Sequence, residues 1–219
     1  MSSTKRHQFA GSTIAVFTRW DDPVAITGIS QANPAVVSWP GHNLAKGDVV
    51  KITGSVGMLE ADGVWIVGEP LTAGTFALEG VDSTGWGVFA AGAQGRAAVF
   101  SQWCEVTSFN RQGGSKPETA VTSVCSTAEE VELGLPSYGS VQIATNWSPD
   151  TALQQAIEAN YDTSDPYPIR YRPRNARTLT TVLGFVQQTG ESGATGGIWA
   201  GSVNYRITGK PVRTILAAA

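Results

Sequence analysis

The sequence predicts a mainly β protein of two regions, a small β domain inserted into a larger one that carries a single α-helix. Three observations predict it. The chain of 219 residues holds 22 Thr and 21 Val, and β-branched side chains suit a pleated, half-buried surface better than a helix. Its 25 Gly and 11 Pro punctuate the chain at the short intervals expected of turns between strands. Only one stretch places apolar residues at helical spacing. A hydrophobic fraction of 42% supports a real core, while only 15% of residues are charged, against roughly 25% in an ordinary soluble domain.

Ser12–Arg19, with Ile14, Val16 and Phe17, reads as a first strand, and Asp21-Asp22-Pro23 breaks it. From Val24 to Ala98 the texture changes. This stretch has nine charged residues, three basic and six acidic, while the rest of the chain is neutral. Strands are expected at Ala25–Ile29, Ala35–Ser38, Asp48–Thr53, Gly63–Glu69 and Thr75–Glu79. Turns fall at Asn33-Pro34, Pro40-Gly41, Lys46-Gly47, Asp62-Gly63 and Ala73-Gly74. That spacing predicts a small barrel or sandwich with Val49, Val50, Ile52, Trp65, Val67, Phe76 and Leu78 inside. Gly80–Gly95 reads as a long glycine-rich loop, with Trp86 and Phe89 as packing anchors.

After Val99, Ser101–Arg111 is strand-like and Gln112–Pro117 reads as a turn. Glu118–Cys125 then resumes β character. A hairpin centred between Gly114 and Ser115 would set Cys104 opposite Cys125, which serves as a register hint rather than as a disulfide. The acidic run Glu129-Glu130-Val131-Glu132 and a strand at Ser140–Asn146 follow. A helix is expected over Asp150–Tyr161. Ser148 would cap it, Pro149 suits its first position and Asp150 favours the positive end of its dipole. Leu153, Ala156, Ile157 and Tyr161 would form its apolar stripe. Three strands close the chain, Ile169–Pro173, Thr178–Gln188 and Trp199–Thr208, with a glycine-rich tip at Thr189–Gly197. From Lys210 onward no period is evident.

Several function classes are disfavoured. A net charge of -3 and a pI near 5.4 do not suit a free-standing DNA binder, whose affinity comes from Lys and Arg replacing phosphate counterions. No run approaches the roughly 20 apolar residues that span a bilayer, and Met1–Arg19 shows no secretory leader. Two cysteines, Cys104 and Cys125, are too few for a disulfide framework or zinc site, so both are expected reduced in a cytosolic setting. His7 and His42 fit no metal-ligand spacing and read as surface residues, and no nucleophile elbow, Walker loop or dinucleotide fingerprint is present. Neither catalytic residues, cofactor nor metal is expected.

Cys104–Arg111, the helix at Asp150–Tyr161 and the strands from Arg170 to Lys210 resemble the tail tube (major tail) protein of long-tailed bacteriophages. The resemblance is one of topology and texture, over residues 1–23 and 99–219. It implies a β-sandwich flanked by a helix, stacked hexameric rings that form a tube conducting DNA without sequence-specific binding, and a virion location after assembly in the host cytoplasm. It also implies a tail-tip initiator, a tape-measure protein and a terminator as partners. The segment 24–98, through Asn33–Val37, Pro40–Leu44, Lys46–Val50, Gly57-Met58, Thr75-Phe76 and Gly80–Gly85, is similar to a small β module of phage structural proteins. That module is likened to a catalytic-cysteine half-domain of ubiquitin-activating enzymes, but residues 24–98 hold no cysteine. Placed between two strands of the core, the insertion would decorate the tube's outer surface.

Within that frame, Arg170, Arg172, Arg174 and Arg177 are expected to meet Glu129, Glu130 and Glu132 of a neighbouring subunit, since Arg–carboxylate pairs fix geometry. A solvated strand face is the plainer reading of the same arginines. The tip Arg111, Gln112, Gly113, Gly114, Ser115, Lys116 and Glu118 is expected to contact the next ring, and deleting Gln112–Lys116 to abolish stacking. Two other classes stay open: an inner tube of a contractile or secretion system, and a surface adhesin or carbohydrate-binding module in which Trp39, Trp65 and Trp86 line a sugar site.

Overall fold

The computed structural model describes residues 6–163 and 165–216. The first five residues of the segment read for a leader, Ser164 and the last three alanines lie outside them. The chain is mainly β. In order it forms β1 (Thr13–Trp20), β2 (Val24–Ala25), β3 (Gly28–Ile29), β4 (Val36–Ser38), β5 (Val49–Thr53), β6 (Gly63–Leu71), β7 (Thr75–Leu78) and β8 (Gln94–Gln102). Then come β9 (Val106–Gln112), β10 (Glu118–Ala120), β11 (Val131–Leu133), β12 (Ser140–Asn146), α1 (Ala152–Tyr161), β13 (Tyr167–Arg172), β14 (Thr178–Ser192) and β15 (Ala200–Ile215).

The inserted region closes on itself as a small barrel. Its ladder runs β3-β4-β7-β6-β5-β8. The short chain Val24–Ile29 completes the circuit, pairing through β2 with β8 and through β3 with β4. Ile26, Val37, Trp39, Val50, Ile52, Met58, Val67, Phe76 and Leu78 fill the interior, with Trp65, Trp86 and Phe89 packed against it. The expected loop Gly80–Gly95 therefore does supply packing anchors, although its last two residues belong to β8.

The larger region follows the order β8-β1-β13-β14-β15-β12-β9, all antiparallel. Alternating positions Val141, Ile143, Val203, Tyr205 and Ile207 point into one core with Val16, Ile169 and Val182, the period-2 burial that a half-covered sheet requires. Ile157 of α1 caps this core. The sheet curls into two layers, so that Phe109 on edge strand β9 reaches Tyr171 on β13, with ring centroids 4.8 Å apart. Two buried tyrosines lock the interior: Tyr167 Oη donates to the Phe17 carbonyl at 2.6 Å, and Tyr205 Oη donates to the carbonyl of Tyr167.

Several expectations are corrected. The helix cap is Thr151 rather than Ser148. Ser148 instead donates its N–H to Gln154 Oε1 at 3.1 Å, a backward reach from the third helical residue. Tyr161 is exposed, because only Gln154 and Ile157 of α1 are fully covered. The expected strand Ser101–Arg111 is broken at Trp103–Glu105, where Trp103 turns inward and donates its N–H to the Ile14 carbonyl. β14 and β15 stay paired as far as Ser192 and Ala200, so much of the supposed tip is strand. β15 also runs on through Lys210 to Ile215.

The largest correction concerns the hairpin. It turns near Cys125-Ser126 and not at Gly114-Ser115. β9 pairs with β12, starting from Gln112 opposite Ser140. The same two arms continue through Ser137 N–H to Ser115 O and Gly134 N–H to Pro117 O. They go on through β10–β11, with Glu118 opposite Leu133 and Ala120 opposite Val131. Cys125 lies at the far end of this ribbon and Cys104 before its root, both exposed and free. A single slip of register between the β9–β12 and β10–β11 ladders falls between the Ser115–Ser137 and Pro117–Gly134 bonds. Closer to the root, Gly139 has φ +87° and a Cβ on Gly114 would lie 2.0 Å from the Ser137 oxygen.

Candidate functional site

Two places in the fold gather the residues singled out in the sequence. The first is the joint between barrel and core. β8 crosses it without a break: Gln94–Ala97 pair with β5, and Ala98–Gln102 pair with β1. β6 is buried on both sides. Val67 faces the barrel core and Trp65 packs against it, while Val64 and Ile66 join Val49, Val212 and Leu183 in a third apolar cluster. Val49 thus belongs to the joint and not to the barrel interior.

Polar groups seal the same joint. The turn Lys46-Gly47-Asp48 presses into a notch of the core. The Gly47 carbonyl accepts from Arg170 Nη2 at 2.7 Å and from Thr181 Oγ1 at 3.0 Å. Arg170 Nη2 also reaches Asp48 Oδ1 at 2.7 Å, and its guanidinium lies 3.9 Å from the centroid of the Phe100 ring. Burial pulls the Arg170 pKa down from its usual range, and the Asp48 carboxylate opposes that shift. At the other end Lys51 Nζ meets Asp165 Oδ2 at 2.5 Å.

The arginine cluster is therefore divided. Arg170 is directed inward and held within the chain. Arg174 donates to Gln8 Oε1 at 3.1 Å, and His7 Nδ1–H donates to its carbonyl at 2.6 Å. Arg177 donates twice to the Leu216 carbonyl. Arg172, half-buried on β13, borders a cavity of about 330 Å³ beside Phe9, Phe109 and Tyr171. Glu129, Glu130 and Glu132 lie on the ribbon, and none forms an ion pair with these arginines among the described residues.

The ribbon is the second place. Arg111, half-buried on β9, donates to Tyr171 Oη at 3.2 Å, while its Nε is shielded and unbonded among the described residues. Gln112, Gly113, Gly114, Ser115, Lys116 and Glu118 form one arm and are exposed. Glu129, Glu130 and Glu132 lie on the returning arm, also exposed. Cross-strand partners share a face, so Val131, Leu133, Ala120 and Glu118 make one side and Glu130, Glu132 and Thr119 the other. Val121, Val124, Val131, Leu133 and Leu135 all stand in solvent. Sequence reading missed the ribbon's extent because the acidic run hides a period-2 pattern, Val131, Leu133, Leu135, which was the available signal.

The remaining candidates are accounted for by packing. Trp39 is buried, and Trp65 and Trp86 pack against each other with centroids 5.8 Å apart. Trp65 Nε1 donates to the Ala61 carbonyl. His42 is half-buried, packed edge-on to Phe76, rather than a free surface residue. Among the described residues no helix is long and apolar enough to cross a membrane, and no three potential metal ligands come together. Neither a scan against protein-family models nor a search of curated proteins finds a match to this chain.

Proposed function

We propose that this chain is a structural subunit that assembles with copies of itself into stacked rings, forming a tube of the kind that conducts DNA in long-tailed phages. The observation that carries the reading is the ribbon from Gln112 to Ser140. A lone two-stranded ribbon is marginal in water, yet this one carries five exposed Val and Leu side chains, and among the described residues β10 and β11 pack chiefly on each other. Such an element gains its stability from a neighbour. Edge strand β9 adds support, because a ring of copies can pair edges that a monomer leaves open.

In this reading the ribbon links one ring to the next, the layered core forms the wall and the barrel stands on the outside, where it leaves the lumen clear. The test is negative-stain electron microscopy of the concentrated protein beside mass photometry. Rings or hollow tubes with outward knobs are expected. Tubes whose knobs fill the lumen would overturn the placement of the barrel. Closed dimers as the only assembly would overturn the tube.

A further inference from the structure

Between barrel and core, on the side where the ribbon takes root, lies an open cleft of about 960 Å³. Four cations border it, Lys46, Arg111, Lys210 and Arg213, against the single acid Glu79. Lys46 is paired with Glu69. Lys210 and Arg213 are exposed and form no ion pair among the described residues. Apolar surface from Trp65, Val81 and Pro211 lies between the charges.

The ribbon is the complement of this cleft. Residues 113–137 hold four glutamates and one lysine. Two of the acids, Glu130 and Glu132, alternate with the exposed Val131 and Leu133, and Glu129 precedes them. We propose that the segment Glu129–Leu135 of one copy seats in the cleft of a second copy, the face that carries Glu130 and Glu132 turned to Lys210 and Arg213 and the opposite face, with Val131 and Leu133, turned to the apolar lining. This rests on the assembly reading above and names the acceptor for it.

Geometry makes the occupant a second copy. Arg111 and Tyr138 border the cleft and also flank the root of the ribbon. The 13 residues from Gly113 to Cys125 extend up to about 40 Å at roughly 3.3 Å per residue. Donor and acceptor therefore sit at opposite ends of one stiffened arm, and self-capture would require breaking the β10–β11 ladder. A contact that joins the tip of one copy to the root of the next is heterologous, and where its rotation does not close it generates a column.

Zero-length carbodiimide cross-linking of the full chain tests this, using a mixture of ¹⁴N- and ¹⁵N-labelled protein read by mass spectrometry. Mixed-isotope links from Glu130 or Glu132 to Lys210 are expected. A Lys210→Glu, Arg213→Glu double variant should lose at least ten-fold in assembled material, and adding Glu130→Lys with Glu132→Lys should restore it. Absence of mixed-isotope links, links within single chains only, or full assembly by the double variant overturns the cleft. Tubes that form without these links leave the tube reading intact while the cleft fails. Mixed links without tubes uphold the contact and remove the tube.

Discussion

Arg170 of the core donates to the carbonyl of Gly47 in the barrel at 2.7 Å, across 123 residues of chain. A guanidinium suits this task because its planar donors hold a backbone oxygen and the Asp48 carboxylate together while its face covers Phe100. Replacing it with Ala leaves Asp48 without its cation, although Asp48 Oδ2 keeps the Ala45 N–H, and removes a donor from Gly47. A loss of about 3 kcal/mol is expected, as for one partner removed from a largely buried pair, measured by denaturant unfolding. Arg172→Glu gives the contrast: the monomer stays folded and assembly is impaired. Normal tubes from that variant would show that Arg172 meets no acidic neighbour.

Gly47 has φ +87°, and a Cβ there would lie 2.5 Å from Thr214 Oγ1. Both facts penalise Ala. Gly47→Ala should lower stability by about 2 kcal/mol through left-handed strain and the clash. Combining it with Thr214→Ala relieves only the clash. A double-mutant cycle should therefore show coupling between the two sites, and strict additivity would place the Gly47 turn outside the notch.

Gly114 permits the arms of the ribbon to approach at their base. A Cβ would fall 2.0 Å from the Ser137 oxygen, so Gly114→Ala should open the ribbon while leaving the two apolar cores intact. Hydrogen exchange should accelerate at Ser137 and Gly134 and stay unchanged in β14. Assembly should fall more than ten-fold, and unfolding midpoints should move little. An unchanged exchange pattern would show that the arms tolerate the methyl group.

Burial raises the pKa values of Tyr167 and Tyr205 above the ordinary phenol value. The unfolded chain loses these two protons first as pH rises. Their contribution is thus complete below about pH 10 and declines above it, by about 2.7 kcal/mol per pH unit for two groups. Spectrophotometric titration should find two of the five tyrosines silent until the protein unfolds in alkali. Tyr205→Phe should cost about 1 kcal/mol for the lost hydrogen bond and leave one silent phenol.

Local chemistry made much of this fold legible. β-branched runs marked most strands, and the barrel strands fell within a few residues of their expected bounds. Ser148-Pro149-Asp150 announced the helix, although the cap moved to Thr151 once Gln154 satisfied the Ser148 N–H. Pairing over long distances was less legible. Gly113-Gly114-Ser115-Lys116-Pro117 has turn chemistry, but here glycine serves close approach of two arms, and the turn sits where Ser123 and Ser126 hydrogen-bond each other. Arg170 alternates with Ile169 and Tyr171, so its pattern read as outward-facing. Its destination depends on the barrel covering that face, which no local window records.

The continuity of β8 has a consequence for how the chain is made. Trp20 pairs with Ala98 only after 77 intervening residues have been placed, a loop whose closure would burden β1 if it stayed unstructured. The barrel removes most of that burden, since every strand it needs lies before Gln102 and can be complete while the rest of the chain is still emerging from the ribosome. Once closed, it presents β8 already straightened, with its second half free. Such an order would let β1 join a formed template. The insertion is in this sense a built-in nucleus for the domain it interrupts.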